Sequence, residues 1–256
     1  MSGEHTLHPT DHRKAGEPST GAGLLLVAHG TRDPRGGRVV RRLAHAVGRT
    51  LGTSVRTANV DVVGPTVPEA LRGMSGRVVV VPAFLAAGYH VRTDLPAQLA
   101  ESGHEAEVVV AEPLGPAPEL ARAMLRRLRE AGWRSGDPVV FAAAGSSDER
   151  ALEDVDRAAD LLGRLVHPAG EPLRATYVTS AHPRTAEVCA SGAGGEFVAP
   201  YLLAPGLFHR WLREMPSRAT AEPLAEAPEV VELIARRYLD ACRADPARAS
   251  TVPFSS

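Results

Sequence analysis

The sequence predicts an α/β protein made of two similar lobes, each a parallel four-stranded sheet flanked by helices. Short apolar segments alternate with amphipathic helical segments, and this order restarts near residue 136. Alternating strands and helices form βα units, whose crossovers give parallel sheets. With 256 residues, 44% of them apolar and 23% charged, the chain can bury a sizeable core. For the second sheet, three strands are an alternative.

The first lobe is predicted to span residues 23–135. Its first and third strands, 24–28 and 77–82, are short and almost purely apolar, as in strands buried on both faces of a sheet. Strands are also predicted at 55–63 and 106–111, and helices at 37–51, 67–74, 94–102 and 116–131. The long helices carry apolar residues at helical spacing, which predicts one buried face on each.

The second lobe is predicted to span residues 136–245, because its segments align with those of the first. Residues 27–33 align with 142–148, 55–69 with 173–187, and 111–131 with 221–241. The offset between the copies falls over the last of these alignments, so the fourth strand of the second copy should be short or missing. Strands are predicted at 139–144, 174–180 and 197–201, and helices at 149–166, from about 184, at 209–215 and at 228–241.

The remaining segments and the composition exclude several classes of protein. Residues 1–22 and 246–256 read as a disordered leader and a tail. A net charge of −1 gives no general basic surface for nucleic acid. The longest apolar stretch, 78–89, is too short to span a membrane, and no signal peptide is visible, so a cytoplasmic protein is expected. Cys189 and Cys242 are far apart, which argues against a zinc ribbon or a disulfide scaffold.

Comparison of the two copies separates architectural positions from candidate chemical ones. The glycine and the aspartate of the turn after the first strand occur in both copies. Three polar residues occur in the first copy only, each after a different strand: His29, Asp61 and His90. The carboxyl ends of parallel strands meet at one edge of a sheet, where such folds place their sites. Two imidazoles and a carboxylate there would suit a divalent first-row metal, with coordination positions left open.

Each of these residues also has a plain structural interpretation. His29 could be a hydrogen-bonded residue at a strand end, Asp61 a loop cap, and His90 an exposed loop residue. Their loss from the second copy could be drift. His182 and His209 lie at edge positions of the second lobe, where a second or vestigial site is an alternative, and His104 lies away from the predicted edge.

Two motifs in the first lobe resemble those of a known enzyme family. HGTRD at 29–33 and GYHVRTDLP at 88–96 resemble the signatures of the sirohydrochlorin chelatases, class II chelatases of the SirB/CbiX type. In that family an HGSR-like turn follows the first strand and a G-x-H-x-x-x-D-[IL]-P loop follows the third. Thr31 keeps the hydroxyl of the usual serine. VDVVGPTV at 60–67 is similar to the family's second-strand segment, although Asp61 is shorter than the glutamate often found there.

The resemblance implies a two-lobe chelatase that inserts Fe²⁺ or Co²⁺ into sirohydrochlorin, in sirohaem or cobalamin biosynthesis. The metal would be a substrate, with no permanently bound cofactor. We expect His29 and His90 to bind the metal and to accept the pyrrole protons, because neutral imidazole is both a base near pH 7 and a borderline metal ligand. Asp61 would be an auxiliary ligand or a proton outlet.

Because the implied substrate is a polycarboxylate, basic side chains and backbone donors are expected at the rim of the site. Arg32, Arg35 and Arg92 lie beside the motifs, and Gly88 and Tyr89 belong to the loop that would contact the macrocycle. All basic residues except Lys14 are arginines, so each arginine could equally be an ordinary surface residue.

Other functions remain open at this point. The chain could be a non-catalytic cytoplasmic carrier of a tetrapyrrole or a metal, or its second lobe could be an interaction surface. Imidazole and carboxylate ligands accept iron and cobalt alike, so the sequence does not choose the metal or the pathway. The oligomeric state is also open, and two fused lobes are compatible with a monomer.

Overall fold

The computed structural model describes residues 21–104, 107–167, 170, 172–192 and 194–244. The predicted tail at 246–256 lies outside the described residues, as does the predicted leader apart from residues 21 and 22. The described chain forms two four-stranded sheets, and every strand pairing in them is parallel. The predicted fold class is therefore confirmed.

The first lobe contains a sheet of order β2-β1-β3-β4. Its central strands β1 and β3 carry aliphatic side chains that are almost completely buried, as their apolar sequences require. The strands are β1 (Gly23–Ala28), β2 (Val55–Asn59), β3 (Val78–Pro82) and β4 (Val108–Val110). The helices are α1 (Pro34–Leu51), α2 (Val67–Leu71), a π-helical segment (His90–Asp94), α3 (Leu95–Glu101) and α4 (Pro118–Glu130).

The second lobe repeats this arrangement with a sheet of order β6-β5-β7-β8. Its strands are β5 (Val139–Ala143), β6 (Ala175–Tyr177), β7 (Phe197–Tyr201) and β8 (Ala219–Thr220). Its helices are α5 (Glu149–Val166), α6 (Thr185–Ser191), α7 (Leu207–Glu214) and α8 (Pro228–Arg243). The fourth strand is present but only two residues long, in agreement with the shortened second copy.

The two lobes exchange their last helices. α4 follows the first sheet in the chain but packs against α5 and β7, while α8 packs against α1, β3 and β4. The Tyr238 hydroxyl of α8 donates to the Ala22 carbonyl, 2.6 Å away, at the start of β1. One apolar core therefore runs through both lobes. The predicted boundary near residue 135 divides the chain into two segments. It stays a prediction, because α4 and α8 each pack against elements on the other side of it.

Several element boundaries differ from the predicted ones, for local reasons. α1 begins at Pro34 rather than 37, because the Asp33 carboxylate caps it by accepting from the Arg35 amide. β2 ends at Asn59 rather than 63, because the chain turns there and Val62 takes a left-handed φ of 70°. The π-helical segment at His90 replaces the predicted loop, so His90 lies at the start of a helix.

The turn after the first strand has the same construction in both lobes. Gly30 and Gly145 have φ values of 97° and 104°, a region that favours glycine. A Cβ atom at Gly30 would overlap the Asp61 carbonyl oxygen, and one at Gly145 would overlap the Thr179 carbonyl oxygen. The two turns thus allow the segment after the second strand to approach closely, whether or not the turn carries a histidine.

None of the helices in the described ranges is long and apolar enough to cross a membrane.

Candidate functional site

His29 and His90 meet at the carboxyl edge of the first sheet. His29 follows β1 directly, and His90 begins the π-helical segment after β3, so the pairing of β1 with β3 brings them together. Their Nε2 atoms lie 3.1 Å apart, and the ring planes are inclined at 80°. His29 is exposed and the His90 side chain is 36% exposed. Two imidazole nitrogens therefore face each other at a solvent-accessible edge.

Asp94 fixes the orientation of the His90 ring. It lies four residues after His90 on the helical segment, and its Oδ2 atom is 2.6 Å from His90 Nδ1. A carboxylate in this position accepts a hydrogen bond from Nδ1–H, and a neutral ring that carries its proton on Nδ1 has a free lone pair on Nε2. The Nε2 atom of His90 is the atom that faces His29. In metal sites, a carboxylate placed in this way orients a metal-binding histidine.

The spacing of the two nitrogens suits a shared metal ion. With both Nε2 atoms at the usual metal–nitrogen distance of about 2.1 Å, their observed separation gives a nitrogen–metal–nitrogen angle of about 95°. This angle corresponds to neighbouring positions of a six-coordinate ion. The remaining positions would be open to ligands from solvent, because His29 is exposed and His90 is partly exposed. The pair can therefore hold an ion while leaving room for incoming ligands.

Asp61 lies close to this pair through its backbone. Its amide donates to the His29 carbonyl at 3.1 Å, while its Oδ1 atom accepts from the Val62 amide at 2.6 Å. Within the described ranges, no three histidine, cysteine, aspartate or glutamate side chains form a group that could hold a metal. Asp61 as an auxiliary ligand or proton outlet thus stays a prediction.

The three arginines of the motifs have different surroundings. The Arg35 side chain binds Asp33 with three hydrogen bonds, which lower the pKa of Asp33 to about 2. Its guanidinium is therefore already paired with a carboxylate. Arg92 donates from Nε to the Ala87 carbonyl at 2.7 Å. Arg32 is exposed and makes no hydrogen bond or ion pair with any described residue, so it has the most freedom to meet an anionic ligand.

Apolar side chains are exposed beside His90 and at the start of α7. Tyr89, immediately before His90, is 62% exposed, and its ring centroid lies 6.2 Å from that of His90. From the second lobe, the start of α7 lies against the turn after β1, because Gly206 is adjacent to the Thr31 side chain. Leu207 at that start is 46% exposed. Gly88 is half-buried against the second lobe, beside Ala151.

The second lobe holds no equivalent pair among its described residues. Ala144 and Phe208 replace His29 and His90 at the corresponding positions. His209 is buried, its ring nitrogen bonds to the Ala221 carbonyl at 3.1 Å, and burial lowers its pKa. This histidine is a hydrogen-bonded core residue, so the alternative of a second site at His182 and His209 has no support in the structure.

Asp94 is the site residue that the sequence analysis left without a role. The signal was present, because a carboxylate four residues after a histidine shares its helix face. The segment was predicted as a loop before a helix starting at residue 94, so this helical spacing was not considered. The π-helical turn supplies the spacing.

Comparisons with known proteins identify relatives of this chain. Residues 23–131 match the CbiX family. A sirohydrochlorin cobaltochelatase of Methanopyrus kandleri is 34% identical over 137 residues, which are 42% of this chain and 95% of the relative. A protein of the same name from Methanothermobacter thermautotrophicus is 30% identical over 131 residues, 43% of this chain and 92% of the relative.

A solved structure extends the likeness to both lobes. SirB from Bacillus subtilis, determined with Fe³⁺, shares 19% sequence identity with this chain and superimposes with a TM-score of 0.77. The match covers 89% of this chain and 98% of the SirB chain. The two cobaltochelatases therefore correspond to about one lobe in length, whereas SirB shares the fold of the whole described chain.

Proposed function

Since the chain belongs to the CbiX family of sirohydrochlorin chelatases, we propose that it inserts a divalent metal ion into sirohydrochlorin, with His29 and His90 as the metal-holding pair. The observation that carries the assignment of the pair is the 3.1 Å separation of their Nε2 atoms at an accessible sheet edge. The metal, Fe²⁺ or Co²⁺, is a substrate and leaves in the product. The product is sirohaem or a cobalt precursor of cobalamin.

The two imidazoles have a double task in this reaction. They bind the incoming ion through Nε2 and release it stepwise as the macrocycle nitrogens replace them. Insertion also displaces two pyrrole N–H protons, and an imidazole freed from the metal is a base suited to accept one. Once protonated, His90 would be an imidazolium beside the Asp94 carboxylate, which stabilises the positive charge at 2.6 Å. The protons then pass to solvent at the exposed edge.

The surroundings of the pair suit a large anionic macrocycle. Tyr89 and Leu207 provide exposed apolar surface for the ring, and Arg32 and Arg92 provide positive charge for its carboxylates. Arg35 and the backbone of Gly88 stay in the proposed substrate-binding set, although Arg35 also binds Asp33.

Cys189 and Cys242 are both free thiols, which fits a protein of the reducing cytoplasm.

A visible-spectrum insertion assay tests the proposed function. Purified protein at substoichiometric concentration is mixed with sirohydrochlorin and either Fe²⁺ or Co²⁺, and the absorbance of the metal-free macrocycle is followed. Many turnovers per protein are expected, faster than the spontaneous reaction with the metal. Binding of sirohydrochlorin or Co²⁺ without turnover would instead indicate a carrier and would refute the enzymatic assignment. An Asp61→Ala variant in the same assay decides whether that carboxylate contributes.

Replacing Asp94 should weaken the site without removing a metal-binding atom. In Asp94→Ala, His90 loses the partner that fixes its ring, and removal of such a partner typically costs about 10- to 100-fold in metal affinity or activity. We expect a loss in this range in both Co²⁺ affinity and turnover. Asp94→Asn keeps an acceptor oxygen for Nδ1–H and should retain more activity than the alanine variant. Equal, near-normal activity of both variants would contradict the orienting role.

Replacing Arg32 should affect substrate binding and leave the chemical step intact. An exposed arginine paired with a carboxylate contributes about 0.2–1 kcal/mol, so Arg32→Ala should raise the KM for sirohydrochlorin by about 1.4- to fivefold. The kcat value should stay within about twofold of wild type, since Arg32 forms no hydrogen bond or ion pair with either histidine in the described chain. Raising the salt concentration should shrink the difference in KM between variant and wild type. A fall in kcat at unchanged KM would argue against this role.

A further inference from the structure

The second lobe forms side-chain hydrogen bonds with the loop that leads to His90. This loop, residues 83–89, leaves β3 of the first lobe and leads into the π-helical segment. The Ala87 amide donates to Oδ2 of Asp154, on α5, at 2.8 Å. The Tyr201 hydroxyl, at the end of β7, donates to the Leu85 carbonyl at 2.8 Å. Two side chains of the lobe without a histidine pair thus hold the backbone just before His90.

Both side chains are buried, which distinguishes them from ordinary surface contacts. The side chain of Asp154 is only 8% exposed, and its second oxygen is paired with Arg157. A buried carboxylate costs folding free energy unless it is hydrogen-bonded and paired, as this one is. Tyr201 is 4% exposed. Burial, and then the nearby Asp154 charge, raises the pKa of Tyr201, so its hydroxyl keeps the proton that it donates.

Further hydrogen bonds connect Ala87 and Gly88 of this loop to the helical turn that begins at His90. The Ala87 carbonyl accepts from Arg92 Nε at 2.7 Å. The Gly88 carbonyl accepts from the amides of Val91 and Arg92 at 3.1 and 3.2 Å. A displacement of Ala87 would therefore be passed to the turn on which His90 lies, and so to its distance from His29.

The internal repeat provides a comparison for this contact. The loop after β3 packs on α5, where Gly88 lies against Ala151. The loop after β7 packs on α1 in the same way, where Pro205 lies against Gly36. At the positions that correspond to Ala87, Asp154 and Tyr201, this second contact has Pro205, Val39 and Ala83. Proline has no N–H group, and neither valine nor alanine can form a hydrogen bond through its side chain. Among the described residues, these two side-chain hydrogen bonds therefore hold the loop that leads to His90, and the loop after β7 has no counterpart to them.

We propose that Asp154 and Tyr201 are positioning residues, through which the second lobe sets the place of His90 relative to His29. The inference rests on the proposed function, because it concerns the same metal-holding pair. It gives the second lobe a task in the reaction although that lobe contributes neither histidine. Neither residue contacts His90 itself, so both act through the backbone of the loop.

The test compares Asp154→Ala, Asp154→Asn and Tyr201→Phe with a matched control, Tyr238→Phe. Tyr238 is also buried and also donates its hydroxyl to a backbone carbonyl across the lobes, but at Ala22, at the opposite end of β1 from His29. Five quantities are measured for each variant: the melting temperature, kcat and KM for insertion, and the visible spectrum and affinity of bound Co²⁺. Histidine-ring NMR spectra without metal report the contact between His29 and His90.

Tyr201→Phe and Tyr238→Phe should lower the melting temperature by similar amounts, but only Tyr201→Phe should change the metal site. We expect kcat to fall by about 10- to 100-fold in Asp154→Ala, since displacement of a reacting group by about 1 Å can cost that much. The same variant should alter the Co²⁺ spectrum and the His90 ring signals, with KM within about twofold of wild type. Tyr201→Phe should show the same changes in smaller measure. Asp154→Asn, which can still accept from the Ala87 amide, should recover most of kcat.

Two results would separate failure of this inference from failure of the proposed function. The positioning role is overturned if Tyr201→Phe and Asp154→Asn both match Tyr238→Phe in kcat, Co²⁺ spectrum and ring signals. In that case Asp154→Ala either also matches Tyr238→Phe or fails to fold. If wild type shows no turnover, the proposed function fails, and the ring signals of the variants still decide the positioning role. Ring signals that change in Asp154→Ala and Tyr201→Phe but not in Tyr238→Phe would support it.

Discussion

Replacing His90 by alanine is expected to abolish metal insertion into sirohydrochlorin, with turnover at least about 100-fold below wild type and the fold retained. The loss follows from the geometry, because the variant removes one of the two facing nitrogens and with it a proton acceptor. The fold should survive because the His90 side chain is partly exposed, and its ring interacts in the described chain with His29, Asp94 and the neighbouring Tyr89 ring. The insertion assay measures turnover, and circular dichroism with thermal melting checks the fold.

His104→Ala is the matched control for this variant. His104 belongs to the same lobe but lies away from the site, with its ring nitrogen 3.5 Å from the Gly76 carbonyl. It should keep wild-type turnover. The double variant His29→Ala/His90→Ala should be scarcely worse than either single variant, because residues that act on one ion as a unit give non-additive losses. Near-normal turnover of His90→Ala would refute the assignment of the pair.

Alanine at Gly30 or at Gly145 should destabilise the protein by about 3 kcal/mol in each case. Both glycines have left-handed φ values, and at both the added Cβ would overlap a carbonyl oxygen of the segment after the second strand. The backbone must therefore move, in addition to the strain of the left-handed conformation. Urea denaturation of the two variants beside wild type measures the change in the free energy of unfolding.

The two glycine variants should differ in their effect on the metal site. Gly30 follows His29 directly, and its neighbour across the turn is the Asp61 backbone, so Gly30→Ala should displace His29 and lose Co²⁺ binding. Gly145 has the same environment in the second lobe but follows Ala144, so Gly145→Ala should lose stability while largely keeping Co²⁺ affinity. Equal Co²⁺ affinity in both variants would contradict the link between this turn and the site.

Local patterns in the sequence were sufficient for the architecture. Buried strands such as β1 and β3 are short apolar runs, and the alignment of the two copies predicted two lobes and a shortened β8. The family resemblance, based on HGTRD and GYHVRTDLP, is confirmed by the CbiX match and the cobaltochelatase relatives. The approach of His29 to His90 followed from topology, because adjacent parallel strands end at one edge. Its role in the reaction stays a prediction.

Features that depend on distant parts of the chain could not be predicted in this way. The amphipathic pattern of α4 shows which face is buried but not that β7 of the other lobe covers it. The partner of Asp154 is a backbone amide 67 residues earlier, which no spacing rule indicates. The extent of β2 was overestimated because the apolar residues Val60, Val62 and Val63 continue past the point where the chain turns, and only tertiary contacts decide that end.

The exchange of α4 and α8 restricts how such a chain can evolve after duplication. Each sheet is covered on one face by a helix encoded in the other half of the gene. A deletion that removed the second half would strip α8 from β3 and β4 and expose their aliphatic side chains to water. Mutation can therefore erase the histidines of one half freely, whereas shortening the gene to a single half would require new residues to cover the exposed sheet.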